Sequence, residues 1–230
     1  FNATGDALVV DNCNYPGGEP VVEITGGTFV SENAAAVGSY AKDETVERLD
    51  GMISGGSFNT DVGDLLADGC AMEKNEDGVY EIVPSEDSVV AIGSRGYATL
   101  AEAVAAVPAD GDETTITLLK DASGDGVVVN AGQNIVLDLG THTYTITGLV
   151  GSAGTETNGM QLLKDSTVTL KNGTITSTTA KILIQNYSNL TLENVVLDGT
   201  QSSVCEYTVS NNFGSMRATG GTEILAAEGR

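Results

Sequence analysis

VVEITGGTFVSENA at residues 21–34 and DGMISGGSFNTDV at residues 50–62 are two copies of one unit, and their spacing decides the fold. Ile24-Thr-Gly-Gly-Thr-Phe29 returns as Ile53-Ser-Gly-Gly-Ser-Phe58 after 29 residues. A degenerate copy, Ala218-Thr-Gly-Gly-Thr-Glu-Ile224, stands near the end. Further along, Ser166-Thr-Val-Thr-Leu-Lys-Asn-Gly-Thr-Ile175 is matched by Asn189-Leu-Thr-Leu-Glu-Asn-Val-Val-Leu197, and Asn134-Ile-Val-Leu-Asp-Leu-Gly140 opens the same way. Alternation of period two puts Val168 with Leu170, and Leu190 with Leu192, on one face of a short strand. A Gly-Gly or Asn-Gly pair then turns the corner. One such unit cannot bury its own apolar face and must stack on the next. Repeats of 22 residues (Val168 to Leu190), 29 (Ile24 to Ile53) and 33 (Ile135 to Val168) fit circuits with loops of varying length. The expectation is an all-β right-handed parallel β-helix, a solenoid, in two segments with short capping helices. Thr and Asn ladders would line up from one circuit to the next.

Composition agrees with many short strands and sharp corners. The chain has 29 Gly, 4 Pro and no Trp, and Thr, Val and Asn are frequent. Thirty-two acidic side chains face ten basic ones, a formal charge of −22. Such a charge repels phosphate and argues against nucleic acid and anionic membranes as partners. No apolar run reaches the roughly 18 residues of a membrane span, and no signal peptide opens the chain. Phe1 stands inside what reads as ordered structure, so a piece of a longer chain is expected. Cys13, Cys70 and Cys205 lie far apart with no CxxC pair, which argues against a cysteine metal site; small apolar thiols buried in a core are expected.

Two stretches break the repeat. Residues 59–84 read as a short helix over about 60–67, N-capped by Thr60 or Asp61, followed by a hairpin turning at Asn75-Glu-Asp-Gly78. This would cover the C-terminal end of a first β-helix, residues 1–84. A linker at 85–88 follows, then a second β-helix over 89–230. Its first element is a helix over about 99–107: Thr99-Leu-Ala-Glu102 is a capping box, Leu100, Ala103, Val104 and Val107 form the apolar face, and Pro108 ends it.

The stretch from ITGGTF through DVGDLLADGCAMEKNEDGVYEIV, with YATLAEAVAAV and TITLLKDA after it, resembles a family of large repeat-containing cell-surface proteins of intestinal Gram-positive bacteria. Gly55, Gly56, Phe58, Asp61, Val62, Leu66, Ala67, Gly69, Asp77, Gly78 and Tyr80 carry the likeness, which spans about residues 20–200. Cys70 departs from it, because the family pattern usually has an aromatic there. The resemblance implies export, an extracellular location, attachment to the cell wall through other parts of the protein, β-helix architecture and no enzymatic activity. Some surface proteins of this type bind host immunoglobulin or glycans, and either would then be the partner.

The competing class is a β-helix polysaccharide lyase or glycoside hydrolase. Asp138 in VLDLG and Asp198 in VLDG occupy comparable places in their repeats and are the candidate acid–base pair. An aspartate bonded to its own turn backbone is the commoner origin of such a residue. Lys181 and Arg217 are the cations a lyase would use, but neither sits in a catalytic motif. His142, the single histidine, alternates in GTHTYTI and is expected on the solvent face of a strand. No metal site is expected. A loosely held calcium ion is the one cofactor allowed, at Asp110, Asp112 and Glu113 or at Asp121 and Asp125, although neither set has calcium-loop spacing and solvated turn acids explain them. The sequons at Asn2, Asn172, Asn186 and Asn189 arise easily in an Asn- and Thr-rich repeat. Tyr97, Tyr144, Tyr187 and Tyr207 are the candidate ligand-binding residues, on exposed strands where sugars could stack, although ordinary packing is the commoner role of such rings. The glycine-rich stretches lack phosphate-binding spacing and are expected at corners.

Overall fold

A computed structural model describes residues 5–227, so the sequon at Asn2 lies outside the described residues. Strands make up 47% of the structure and helix 4%. The chain divides into two compact units. One runs up to Asp87 and takes in Gly93–Gly96; the other holds Ser88–Ile92 and everything from Tyr97 onward.

In the first unit, β1 (Leu8–Asn12), β2 (Ile24–Phe29), β3 (Val37–Ala41) and β4 (Ile53–Phe58) form two parallel pairs, β1 with β3 and β2 with β4. The repeat is the register: Ile24 lies beside Ile53 and Phe29 beside Phe58, with the two rings stacked 5.2 Å apart. The diglycines are not the corners that the sequence led one to expect. They lie inside β2 and β4, where the register shifts between Thr25 and Thr28, and Gly27 and Gly56 hold positive φ of 99° and 113°. They are bulges in a strand pair. The third copy, at 218–224, has a different structure again, since it straddles a turn at Gly220.

The open edge of β4 is covered by an antiparallel hairpin, β5 (Cys70–Lys74) and β6 (Tyr80–Pro84), in the order β2-β4-β6-β5. Asn75 makes the turn by accepting the backbone N–H groups of Asp77 (3.1 Å) and Val79 (3.0 Å). A paired edge cannot recruit a stray strand. The helix expected at 60–67 shrinks to a single 3₁₀ turn, Gly63–Leu65. Neither expected cap serves it: Asp61 turns back to accept the N–H of Gly63 (2.8 Å), and Thr60 accepts the N–H of Ala36 (2.7 Å). Such local bonds compete with a helix, and Ala67 then donates to the Ile53 carbonyl at 2.8 Å, which pulls the chain back onto the sheet. The core here is Ile24, Ile53, Phe58, Val62 and Leu65. The cysteines are unlike one another: Cys205 is buried as expected, Cys70 is half-buried beside this core, and Cys13 is exposed, contrary to expectation.

The second unit begins with β7 (Val90–Ile92) and α1 (Leu100–Ala106), and between them runs β8 (Arg95–Tyr97), of which only Tyr97 belongs to this unit. The capping box is present, with the Thr99 hydroxyl accepting from the Glu102 N–H and the Glu102 carboxylate from the Thr99 N–H. Leu100, Ala103, Val104 and Val107 are buried, and buried Gln133 donates to the carbonyls of Val104 and Val107 at 2.8 and 2.9 Å. That amide satisfies carbonyls the helix end would otherwise leave open.

The chain then runs in circuits. The first is β9 (Glu113–Leu118), β10 (Ala122–Asp125) and β11 (Val127–Val129); the second is β12 (Asn134–Asp138), β13 (Thr143–Gly148) and β14 (Asn158–Leu162). The third is β15 (Thr167–Lys171), β16 (Thr174–Ser177) and β17 (Ile182–Asn186); the fourth is β18 (Asn189–Glu193), β19 (Val196–Asp198) and β20 (Tyr207–Asn211). A fifth starts with β21 (Ser215–Thr219) and β22 (Glu223–Leu225). First, second and third strands each form their own sheet, and every neighbour within the circuits is parallel.

Inward residues stack in columns. Ile116, Leu137, Leu170 and Leu192 are register partners in the first sheet, as are Tyr144, Ile175 and Leu197 in the second and Val127, Met160 and Ile184 in the third. All are essentially closed to solvent. Outward, Thr169 lies beside Thr191 and Thr145 beside Thr176, the ladders the repeats lead one to expect. The column positions reopen at Met216 and Ile224, each 41% exposed.

Leu192 is fully buried while its neighbour Glu193 is exposed. Leu192→Asp is therefore expected to unfold this unit, since an unpaired buried carboxylate costs several kcal/mol, whereas Glu193→Ala stays within roughly 0.5 kcal/mol. Thermal melts of the two variants check this; equal melting temperatures would mean a wrong register.

Candidate functional site

The two candidate acids are not a pair. Asp138 ends β12 in the first sheet, and Asp198 ends β19 in the second. The shared Val-Leu-Asp pattern placed them alike because any strand before a corner can end so, whichever sheet it joins. Asp138 accepts from Asn172 Nδ2 (2.7 Å) and from the Gly140 N–H (3.0 Å), and pairs with Lys171 at 3.2 Å. Burial works to raise its pKa, but these hydrogen bonds and the Lys171 charge outweigh it and hold the carboxyl below its usual value. Asp198 accepts the N–H and hydroxyl of Thr200 (2.8 and 2.6 Å) and the amide of Gln201 (3.3 Å). Its pKa is lowered in the same way, the Thr200 bonds overcoming burial. Both carboxylates are tied into corners and held ionised.

The partner of Asp138 is itself a corner residue. Asn172 has φ of 57° and is followed by Gly173 at 58°; Asn194, in the equivalent corner one circuit later, has φ of 50°. Asparagine tolerates this left-handed region better than other side-chain-bearing residues. At Gly173 a Cβ would run into the carbonyl of His142, so only glycine fits.

The other candidates are dispersed. His142 lies in the turn before β13 and not within a strand, half-exposed, with Nδ1 3.6 Å from Asp121. Lys181 pairs with Glu206 at 2.9 Å, and Arg217 sits in β21. Asp110 accepts the N–H of Asp112, a turn bond, and Asp121 accepts that of Thr143 in the next circuit. No group of three or more metal-ligating side chains converges among the described residues. The sequon Asn186 is fully buried, donating to Asn211 (2.6 Å) and the Ser215 carbonyl (3.1 Å) and accepting from Ser188. The folded chain therefore gives no access to it.

The four tyrosines do not form a row. Tyr144 is 2% exposed in the inward column of the second sheet, its hydroxyl donating to the Asp125 carbonyl at 2.8 Å. Burial, with Asp125 nearby, pushes its pKa up to about 12. Tyr144 shares alternation with Ile146, so the pattern already placed both on one face. Tyr97 packs partly against the core, Tyr187 is half-buried at a corner, and Tyr207 is 56% exposed on β20.

Concavities lined in part by polar side chains occur in both units, including one of about 420 Å³ at Glu206, Tyr207, Thr208 and Asn211. A cleft of about 400 Å³ in the first unit is lined by Tyr40, Arg48, Asp61 and Asp64. Its groups are engaged: Arg48 pairs with Asp64 at 3.2 Å, and Tyr40 donates to Asp6 at 2.6 Å. A hollow of about 130 Å³ in the second unit lies where the third sheet turns back to the first. Lys164, Asp165, Tyr187 and Phe213 line it, and the Lys164 ammonium stands 5.7 Å from the centre of the Phe213 ring. Phe213 is 70% exposed. Tyr187 was a candidate from sequence, but Phe213 was not; an aromatic in a polar corner, Asn211-Asn-Phe-Gly214, is the signal that could have found it. Comparison with family models, with curated proteins and with solved structures finds no match to this chain.

Because the folded-state pKa of Asp138 is depressed, its stabilisation is present above the unfolded value, about 4, and fades as pH falls through the folded value. Asp138→Asn is expected to cost about 1 kcal/mol at pH 7, the charged part of its bonds discounted for partial exposure. Melting curves of wild type and variant should converge once the pH has fallen below the folded value. A constant gap across pH would show that the charge contributes nothing.

Proposed function

We propose that the chain is a non-enzymatic module of a secreted bacterial surface protein, a right-handed parallel β-helix in two segments that presents its outer surface to a host glycan or to a host protein such as immunoglobulin. Attachment to the cell wall falls to other parts of that protein. Three parallel sheets visited in turn, with in-register columns, support the β-helix. One observation carries the binding role: aromatic rings stand at the outside of the stack, where the core gains nothing from them. Phe213 and Tyr207 are 70% and 56% exposed, in a chain with only 5% aromatic residues. Exposed rings on a rigid scaffold bind at low entropic cost. Successive circuits lie about 4.8 Å apart, so corner side chains form a closely spaced array.

The committed state of the carboxylates supports the same role. A general acid needs a carboxyl held protonated near neutral pH, whereas Asp138 and Asp198 are both shifted the other way. The wild-type protein is expected to release no reducing ends or unsaturated products from pectin, mucin or glycosaminoglycans. It is expected to be retained on immobilised mucin glycans or purified immunoglobulin, and Asp138→Asn combined with Asp198→Asn should be retained equally. Turnover by the wild type that the double variant loses, by ~100-fold or more, would overturn the adhesive role in favour of a carbohydrate-active enzyme.

A further inference from the structure

The structure assigns a sugar-binding site to the corner hollow at Lys164, Asp165, Tyr187 and Phe213, and the geometry points to a neutral sugar ring as its ligand. The assignment rests on the binding-module role above and names the site and the ligand class within it.

The scaffold beneath the hollow is rigid. Lys164, Tyr187 and Phe213 come from equivalent corners of three successive circuits, after β14, β17 and β20. Backbone bonds tie those corners together, Tyr187 N–H to the Leu162 carbonyl at 2.8 Å and Asn212 N–H to the Asn186 carbonyl at 3.2 Å. Buried Asn186 clamps the floor through Asn211, Ser188 and the Ser215 carbonyl. Gly214 lets the next turn close over it, because a Cβ there would strike the Ser188 backbone. Locked support of this kind holds a site at fixed geometry.

The groups on the rim are uncommitted. Among the described residues the Asp165 carboxylate and the Tyr187 hydroxyl enter no hydrogen bond, and the Lys164 ammonium enters no ion pair and stands 5.7 Å from the centre of the Phe213 ring. By contrast, the carboxylates of Asp138 and Asp198 are engaged by the groups of their own corners. An ammonium donor, a carboxylate acceptor, a hydroxyl that does both and an exposed ring are the complement of a sugar, which offers an apolar C–H face with hydroxyls at its edge. Charge decides between neutral and anionic sugars. Asp165 offsets Lys164 within the hollow, and the chain as a whole carries −22, so a sialylated or sulfated ligand is repelled.

The test is an amide-resolved NMR titration of the full chain with N-acetyllactosamine, with chitobiose, and with α2,3-sialylated N-acetyllactosamine. A neutral disaccharide is expected to shift the amides of Lys164, Asp165, Tyr187, Phe213 and Gly214 saturably at millimolar concentration, and the sialylated sugar to bind more weakly. Phe213→Ala should weaken binding about tenfold with an unchanged melting temperature, and Lys164→Ala should weaken it less. Shifts confined to other residues, wild-type affinity in Phe213→Ala, or tighter binding of the sialylated sugar would each overturn the assignment. Absence of any shift with both neutral sugars would overturn it too. Retention on mucin glycans or immunoglobulin would in that case leave the broader binding role standing, so the two can fail separately.

Discussion

Register between successive parallel strands is the constraint on which everything else depends. A short strand of three to six residues cannot be stable alone, because its N–H and C=O groups and its apolar face are both unsatisfied. The next circuit meets both needs at once, but only in one register. A slip of one residue would carry Leu170 and Leu192 out to water and Thr169 and Thr191 into the core. Like therefore lies on like: leucine on leucine within, threonine on threonine without.

Strand stacking moves the polar problem to the corners. Each corner breaks the ladder, and the side chains there take over its hydrogen bonds. Asn172 and Asn194 adopt left-handed φ, Asp138 and Asp198 receive turn N–H groups, and Asn186 ties two corners together. Among the described residues no buried side-chain nitrogen or oxygen is left without a partner. Asp138 and Asp198, the candidate acids of the sequence, are both bonded into such corners. An aspartate before a corner is bound by the turn, and its bonds hold the carboxyl below its usual value.

Ends of sheets are handled differently from their interiors. In the first unit an antiparallel hairpin covers β4, and in the second β7 pairs antiparallel with β9 while α1 buries its apolar face. Antiparallel pairing changes the direction of the ladder and stops it from propagating. Helix and hairpin are local structures, so their signals are compact: a capping box at Thr99 and Glu102, an Asn-Glu-Asp-Gly turn at 75–78.

The sequence alone determined what depends on period and on neighbours. Spacings of 22, 29 and 33 residues became register pairs, Val168 with Leu190, Ile24 with Ile53, Ile135 with Val168. The capped helix and the inward face of Leu190 and Leu192 were legible too, because alternation and capping are written in adjacent residues. Tertiary structure decided what depends on which sheet a residue joins. Asp138 and Asp198 share a local pattern yet lie on different sheets; the diglycines are bulges because a parallel partner sits beside them, not because the chain turns there. The hollow of Lys164, Asp165, Tyr187 and Phe213 belongs to the same class. Its members come from three circuits of unequal length, so no fixed spacing links them, and only the closing of each circuit brings its corner over the last.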